Sequence, residues 1–194
     1  MKKYVAEFFG TLVLTLVVSA SILSGAGLPT YLLAGIIVGL FVWTIGHVSG
    51  THLNPAVTLA LFTFKRIGKR DTVGYIVAQF AGAVGAMLLV SLLNFKLPQM
   101  ATDYALFPLL AETLGMTIFA FGIASVALGG RHDHAAFTIG GSLAIGAMVA
   151  GSLGANGIVN PAVALGINSF GVAYLVGPIL GALLGMWVYK KVSE

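Results

Sequence analysis

Asn54-Pro55-Ala56-Val57-Thr58-Leu59-Ala60-Leu61-Phe62-Thr63-Phe64 opens with two residues suited to starting a helix and continues with mostly apolar ones. Asn is a favoured N-cap, and Pro is favoured at the first helical position, where its missing N–H costs nothing. At 1.5 Å per residue the segment makes a helix of about 16 Å, half of a hydrocarbon core of about 30 Å. It is too short to cross a bilayer and must re-enter or lie on its surface. Asn160-Pro161-Ala162-Val163-Ala164-Leu165-Gly166-Ile167-Asn168 repeats both the opening and the short length. Two half-helices are expected, over residues 54–64 and 160–168.

Working outward, the chain reads as an internal repeat. Asn160 follows Asn54 by 106 positions, and Ala111-Glu112-Thr113-Leu114-Gly115 follows Ala6-Glu7-Phe8-Phe9-Gly10 by 105. Apolar, almost uncharged runs predict full spans over residues 4–24, 31–47, 73–94, 104–128, 136–151 and 171–190. Backbone groups in lipid must be bonded within their own segment, and the alternation of a membrane β-barrel is absent, so these runs are helices. The expected fold is an all-α membrane protein with six spans and two re-entrant half-helices. Residues 1–97 and 98–194 form two repeats within one domain. An odd number of spans in each half inverts the second relative to the first, so the half-helices enter from opposite faces and their starts meet near the midplane.

Composition agrees: 58% of residues are hydrophobic and only 8% charged, with a mean hydropathy of +1.01. Too few polar groups remain to coat a water-soluble surface, so the solvent is lipid. The net charge of +4 does not indicate a nucleic-acid partner, since the basic residues flank apolar segments and form no basic tract. The absence of cysteine removes disulfides and thiolate metal sites. Met1-Lys2-Lys3 before an apolar run resembles a signal peptide, but Glu7 interrupts the run and no convincing cleavage pattern follows. With both termini inside, Lys2, Lys3, Lys65, Arg66, Lys69, Arg70, Arg131, Lys190 and Lys191 are cytoplasmic and only Lys96 lies outside, as the positive-inside rule requires.

An Asn that caps its helix with its side-chain oxygen leaves its amide N–H groups to donate elsewhere. Two such donors facing one path, each beside the positive end of a half-helix, would hold water by its oxygen and repel cations. The segment His47-Val48-Ser49-Gly50-Thr51-His52-Leu53-Asn54-Pro55-Ala56-Val57-Thr58 resembles the first signature of the aquaporin and glycerol-facilitator family. The resemblance extends to Ala6-Glu7-Phe8-Phe9-Gly10-Thr11, Ala78-Gln79-Phe80-Ala81-Gly82 and Val176-Gly177-Pro178-Ile179-Leu180-Gly181. It implies six tilted helices, a homotetramer with one pore per subunit, and passive passage of water or small uncharged solutes such as glycerol, urea or ammonia through a cell (plasma) membrane. Asn54, Pro55, Ala56, Asn160, Pro161 and Ala162 would sit at the pore midplane. Glu7 and Glu112 would brace the re-entrant loops. His47 and His52 belong to the first of these loops, where bonding within the loop is expected and a metal site is not, because no carboxylate or thiolate partner stands near.

One departure bears on selectivity. Water-selective members of that family usually place Arg directly after the second Asn-Pro-Ala, whereas this chain has Val163. Counting back from Asn54 and from Asn160 reaches Ala34 and Met148, where such members carry an aromatic residue and His. The expected outer ring is Ala34, Met148, Gly157 and Val163, uncharged and wide. Ala164 stands where glycerol-transporting members usually have Asp. Gly35 and Gly39, and Gly177, Gly181 and Gly185, are spaced for close helix packing in lipid. His132 and His134 read as part of a solvated connector. No nucleophile is paired with a base and no cofactor motif occurs, so enzyme chemistry is not expected.

Overall fold

The computed structural model describes residues 1–25, 27–99 and 106–194, and all its regular elements are helices. They are α1 (Lys2–Ser24), α2 (Thr30–Ser49), α3 (Pro55–Thr63), α4 (Lys69–Leu92), α5 (Leu106–Ala127), α6 (Ala135–Ser152), α7 (Pro161–Gly166) and α8 (Val172–Ser193). The six long helices are apolar enough and long enough to cross a membrane. They overlie the expected spans, except that residues 104 and 105 lie outside the described residues. α3 and α7 are the half-helices. α7 is shorter than its sequence suggested, because the chain leaves the helix at Ile167 and turns through a left-handed Asn168.

The packing repeats across the two halves. α1 lies against α2 and α4 as α5 lies against α6 and α8, and α2 packs on α6 to join the halves. The half-helices cross over: α3 rests on α8, and α7 rests on α4. Each half therefore supplies the last wall around the other's half-helix. Small residues make room for them, since Ala56, Ala60, Ala162 and Ala164 are fully buried.

Polarity is arranged for a lipid solvent. Trp43, Phe107, Phe137 and Leu92 are exposed, while Glu7, Thr11, Thr15, Gln79 and Glu112 are fully buried. Helices approach closely where glycine permits. A side chain at Gly177, Gly181 or Gly185 of α8 would press on the carbonyl of Leu109, Thr113 or Thr117 of α5. Gly35 and Gly140 face each other's carbonyls across α2 and α6 in the same way. Without a hydrophobic driving force between helices, such backbone approach supplies the van der Waals contact that holds the bundle.

Candidate functional site at the paired half-helix starts

Asn54 and Asn160 each cap a half-helix. The Asn54 Oδ1 accepts the Ala56 N–H at 2.9 Å, and the Asn160 Oδ1 accepts the N–H groups of Ala162 and Val163 at 3.1 and 3.3 Å. Each cap contributes about 1 kcal/mol to its helix. The amide nitrogens do something the sequence did not reveal. Asn54 Nδ2 donates to the Val159 carbonyl at 2.8 Å, and Asn160 Nδ2 donates to the Leu53 carbonyl at 2.9 Å. The two starts are thus clasped reciprocally. One N–H of each amide is committed to the opposite loop and one remains for the cavity that both asparagines line.

The clasp depends on strained backbone. Leu53 and Val159 immediately precede the caps, and both have left-handed φ, 46° and 47°. For a β-branched residue this conformation is a genuine outlier, and it costs about 1–3 kcal/mol. Two sets of bonds hold it in place. The Leu53 and Val159 carbonyls accept from the asparagines, and their N–H groups donate to Glu7 Oε2 at 2.7 Å and Glu112 Oε2 at 2.6 Å. Two residues earlier, Thr51 and Gly157 are also left-handed. Gly157 cannot carry a side chain, because a Cβ would collide with the Ala147 carbonyl.

Glu7 and Glu112 are fully buried. Glu7 also accepts the His52 N–H at 3.0 Å, the Ser49 hydroxyl at 2.6 Å and Gln79 Nε2 at 2.8 Å. Glu112 also accepts the Ile158 N–H at 2.9 Å. Every one of these bonds is donated to a carboxyl oxygen, the acceptor-only role of a carboxylate. His52 bonds within its loop: Nδ1 lies 3.1 Å from Thr58 Oγ1, and the ring meets Tyr75 edge-on at 5.0 Å. Gln79 completes the cluster by donating to Thr58 Oγ1 at 2.9 Å, and the Tyr75 hydroxyl donates to the Ser49 carbonyl at 2.8 Å. His47 is different. It is exposed on the last turn of α2, and among the described residues it has no hydrogen bond to the loop. No group of three metal-ligating side chains occurs among the described residues.

Two cavities meet at this site. A vestibule of about 580 Å³ opens on the side of His47, Arg66 and His132 and reaches inward to His52 and Phe119. Beyond the same two residues lies a chamber of about 30 Å³ bordered by Asn54 and Asn160, room for roughly one or two water molecules. Ala34, Gly157 and Val163 border it, but Met148 does not. Met148 is 39% exposed on the outer face of α6, whereas Ala147 is 4% exposed and lines the chamber. Counting across a loop placed the inward position one residue too far. On α6, Ile139, Leu143 and Ala147 line the two cavities, a stripe of period four that leaves Met148 about 100° away. Ala147 therefore stands beside Ala34, Gly157 and Val163 at the chamber, where Met148 was expected. The chamber is nevertheless small, because Leu14, Val38, Leu143 and Ile158 also border it. The width expected from the four ring positions is not found at the asparagine level.

Residues 1–189 match the family model described as major intrinsic protein. The chain belongs to the major intrinsic protein family. Over 210 aligned residues this family member is 34% identical to glycerol uptake facilitator protein-like 6 of Lactiplantibacillus plantarum, covering 100% of this chain and 92% of that protein. It is 33% identical to probable aquaporin NIP7-1 of Arabidopsis thaliana, covering 97% of this chain and 75% of that one. In fold it is similar to the aquaglyceroporin from Plasmodium falciparum, with a TM-score of 0.72 and 22% identity over 99% of this chain and 96% of the other. What sequence reading missed in this major intrinsic protein is the strained pair Leu53 and Val159 and the polar partners Ser49, Thr58, Tyr75 and Gln79. Only the equal placing of Leu53 and Val159 before the two caps could have pointed to the strained pair. A Gln in an apolar span could have pointed to the polar cluster.

Proposed function

We propose that solute crosses this protein from the vestibule, past His52 and Phe119, through the chamber between Asn54 and Asn160, and out past Ala34, Ala147, Gly157 and Val163. Family membership and the relatives described above make the chain a passive channel for water and small solutes; the route and its selectivity are the new part of the reading. The observation that carries it is the reciprocal clasp, because it sets two amide donors on one chamber that also adjoins the vestibule. The remaining N–H of each asparagine holds a water by its oxygen, and the half-helix starts add positive potential. A water so held is a poor proton acceptor, and a metal cation meets repulsion with no carboxylate to offset it. The route therefore carries uncharged solutes and excludes ions and protons. Its walls beyond the asparagines are apolar, which favours solutes with some carbon surface, such as glycerol or urea, and slows water where the passage is narrow.

In this reading residues 1–97 and 98–194 act as inverted repeats of one channel, which assembles as a homotetramer in the cell (plasma) membrane. Both termini are cytoplasmic, supported by the basic residues that flank the vestibule face. Glu7 and Glu112 serve the loops and carry no coupling proton, since their oxygens are taken up by loop donors. The test is purified protein in liposomes. Osmotic shrinkage should be faster than in empty liposomes, and reswelling should follow for glycerol, urea or ammonia without any ion gradient. Uptake that vanishes when a proton gradient is abolished would replace the channel with a coupled carrier.

A further inference from the structure

The vestibule face carries a second, separate crevice. About 370 Å³ in size, it lies where the chain leaves α3 and where α5 and α8 end. Its apolar side is Phe64, Leu128 and Tyr189, and its rim is Lys65, Arg66 and Lys190. One acidic residue, Glu194, also borders it and reaches Lys190 at 3.6 Å, with both side chains more than half exposed. That pair is weak in water. Among the described residues Lys65 and Arg66 have no side-chain hydrogen bond or ion pair.

The two are held at the rim by their backbone. The Lys65 N–H donates to the Phe62 carbonyl at 2.9 Å and the Arg66 N–H to the Leu61 carbonyl at 2.8 Å, with Lys65 itself in the left-handed region at φ 58°. The turn thereby presents both cations together, opposite Lys190. Three cations against one acidic side chain favour an anion, and a guanidinium with free donors binds phosphate oxygens in a bidentate way. A soluble anion would have no use for the apolar side. An amphiphile would, since the crevice stands at the ends of spanning helices, where headgroups meet acyl chains.

We propose that this crevice binds the headgroup of an anionic phospholipid. The phosphate lies among Lys65, Arg66 and Lys190, and the first carbons of the chains rest on Phe64, Leu128 and Tyr189. Of the three cations only Arg66 also borders the vestibule, so lipid retention and solute flux are separate readouts.

Native mass spectrometry of the full chain tests this, with phosphatidylglycerol and phosphatidylcholine of the same chains added to detergent-purified protein. The wild type should retain phosphatidylglycerol in preference by about tenfold or more, as expected for several cations near a headgroup. Lys65→Gln/Arg66→Gln/Lys190→Gln should lose that preference, and Arg66→Gln alone should lose part of it, so the outcome does not depend on the triple variant folding. Lys2→Gln/Lys69→Gln/Arg70→Gln removes the same charge elsewhere and should keep it. Equal loss in both triple variants, or no preference in the wild type, would overturn the proposal by reducing it to general charge attraction. Displacement of the lipid by millimolar inorganic phosphate would overturn it in favour of a free-anion site.

Discussion

At the scale of single residues, the most demanding position is Val159, a β-branched residue held with φ 47° between Asn54 and Glu112. The Ile158 and Val159 N–H groups go to different oxygens of Glu112. Glu112→Gln leaves one acceptor oxygen and sets an amide donor against the other N–H. Losing one buried hydrogen bond costs about 1–3 kcal/mol, so the melting midpoint in detergent should fall and osmotic permeability should fall with it. An unchanged midpoint would mean that the carboxylate is not what holds the strained loop. Asn160→Asp keeps a cap but exchanges the bond to the Leu53 carbonyl for two oxygens facing each other, and adds negative charge at the chamber. Neutral-solute flux should drop or a cation leak should appear in potassium-loaded liposomes. Asn54→Asp should do the same, and if both variants conduct and exclude ions like the wild type, the path does not run past these residues. The caps were readable because an N-cap is a local matter of one side chain and its own helix. The clasp was not, since it joins groups 105 and 107 positions apart.

At the scale of elements, helix pairs are set by glycine rather than by large apolar contacts. A Cβ at Gly181 would press on the Thr113 carbonyl of α5, which is backbone and cannot step aside, whereas Gly141 on α6 faces open space. Gly181→Ala should lower stability by about 1–3 kcal/mol through overpacking. Gly141→Ala should leave it unchanged or raise it slightly, as helix propensity favours Ala. Thermal unfolding of the two proteins side by side checks the pair, and a matched response would show that α5 and α8 do not rely on this approach. The glycine spacing was visible in the sequence, because a period of four marks one helix face. Met148 shows the limit of counting: a distance along the chain crosses a loop, and one residue of loop turns the helix face by about 100°. The stripe of inward residues on α6 was the better guide, since it stays within one element.

At the scale of the whole molecule, the six spans and the two half-helices followed from length, hydropathy and repeat, because a bilayer permits few other arrangements. The width of the path did not follow. An uncharged ring of Ala34, Met148, Gly157 and Val163 suggested an open filter, but the chamber size depends on Leu14, Val38, Leu143 and Ile158 from α1, α2, α6 and the second loop, whose approach only tertiary packing sets. The proposed route takes solute past the inward face of α6 beside the clasped asparagines. Proteoliposomes carrying Ala147→Phe and Met148→Phe, each checked by size exclusion and compared with the wild type in one osmotic stopped-flow series, test it most directly. Ala147→Phe should cut permeability by roughly tenfold or more by filling a chamber that holds only about one or two waters, while Met148→Phe, which does not border the chamber, should conduct like the wild type. Equal permeability of the two variants, or block by Met148→Phe alone, would contradict the account.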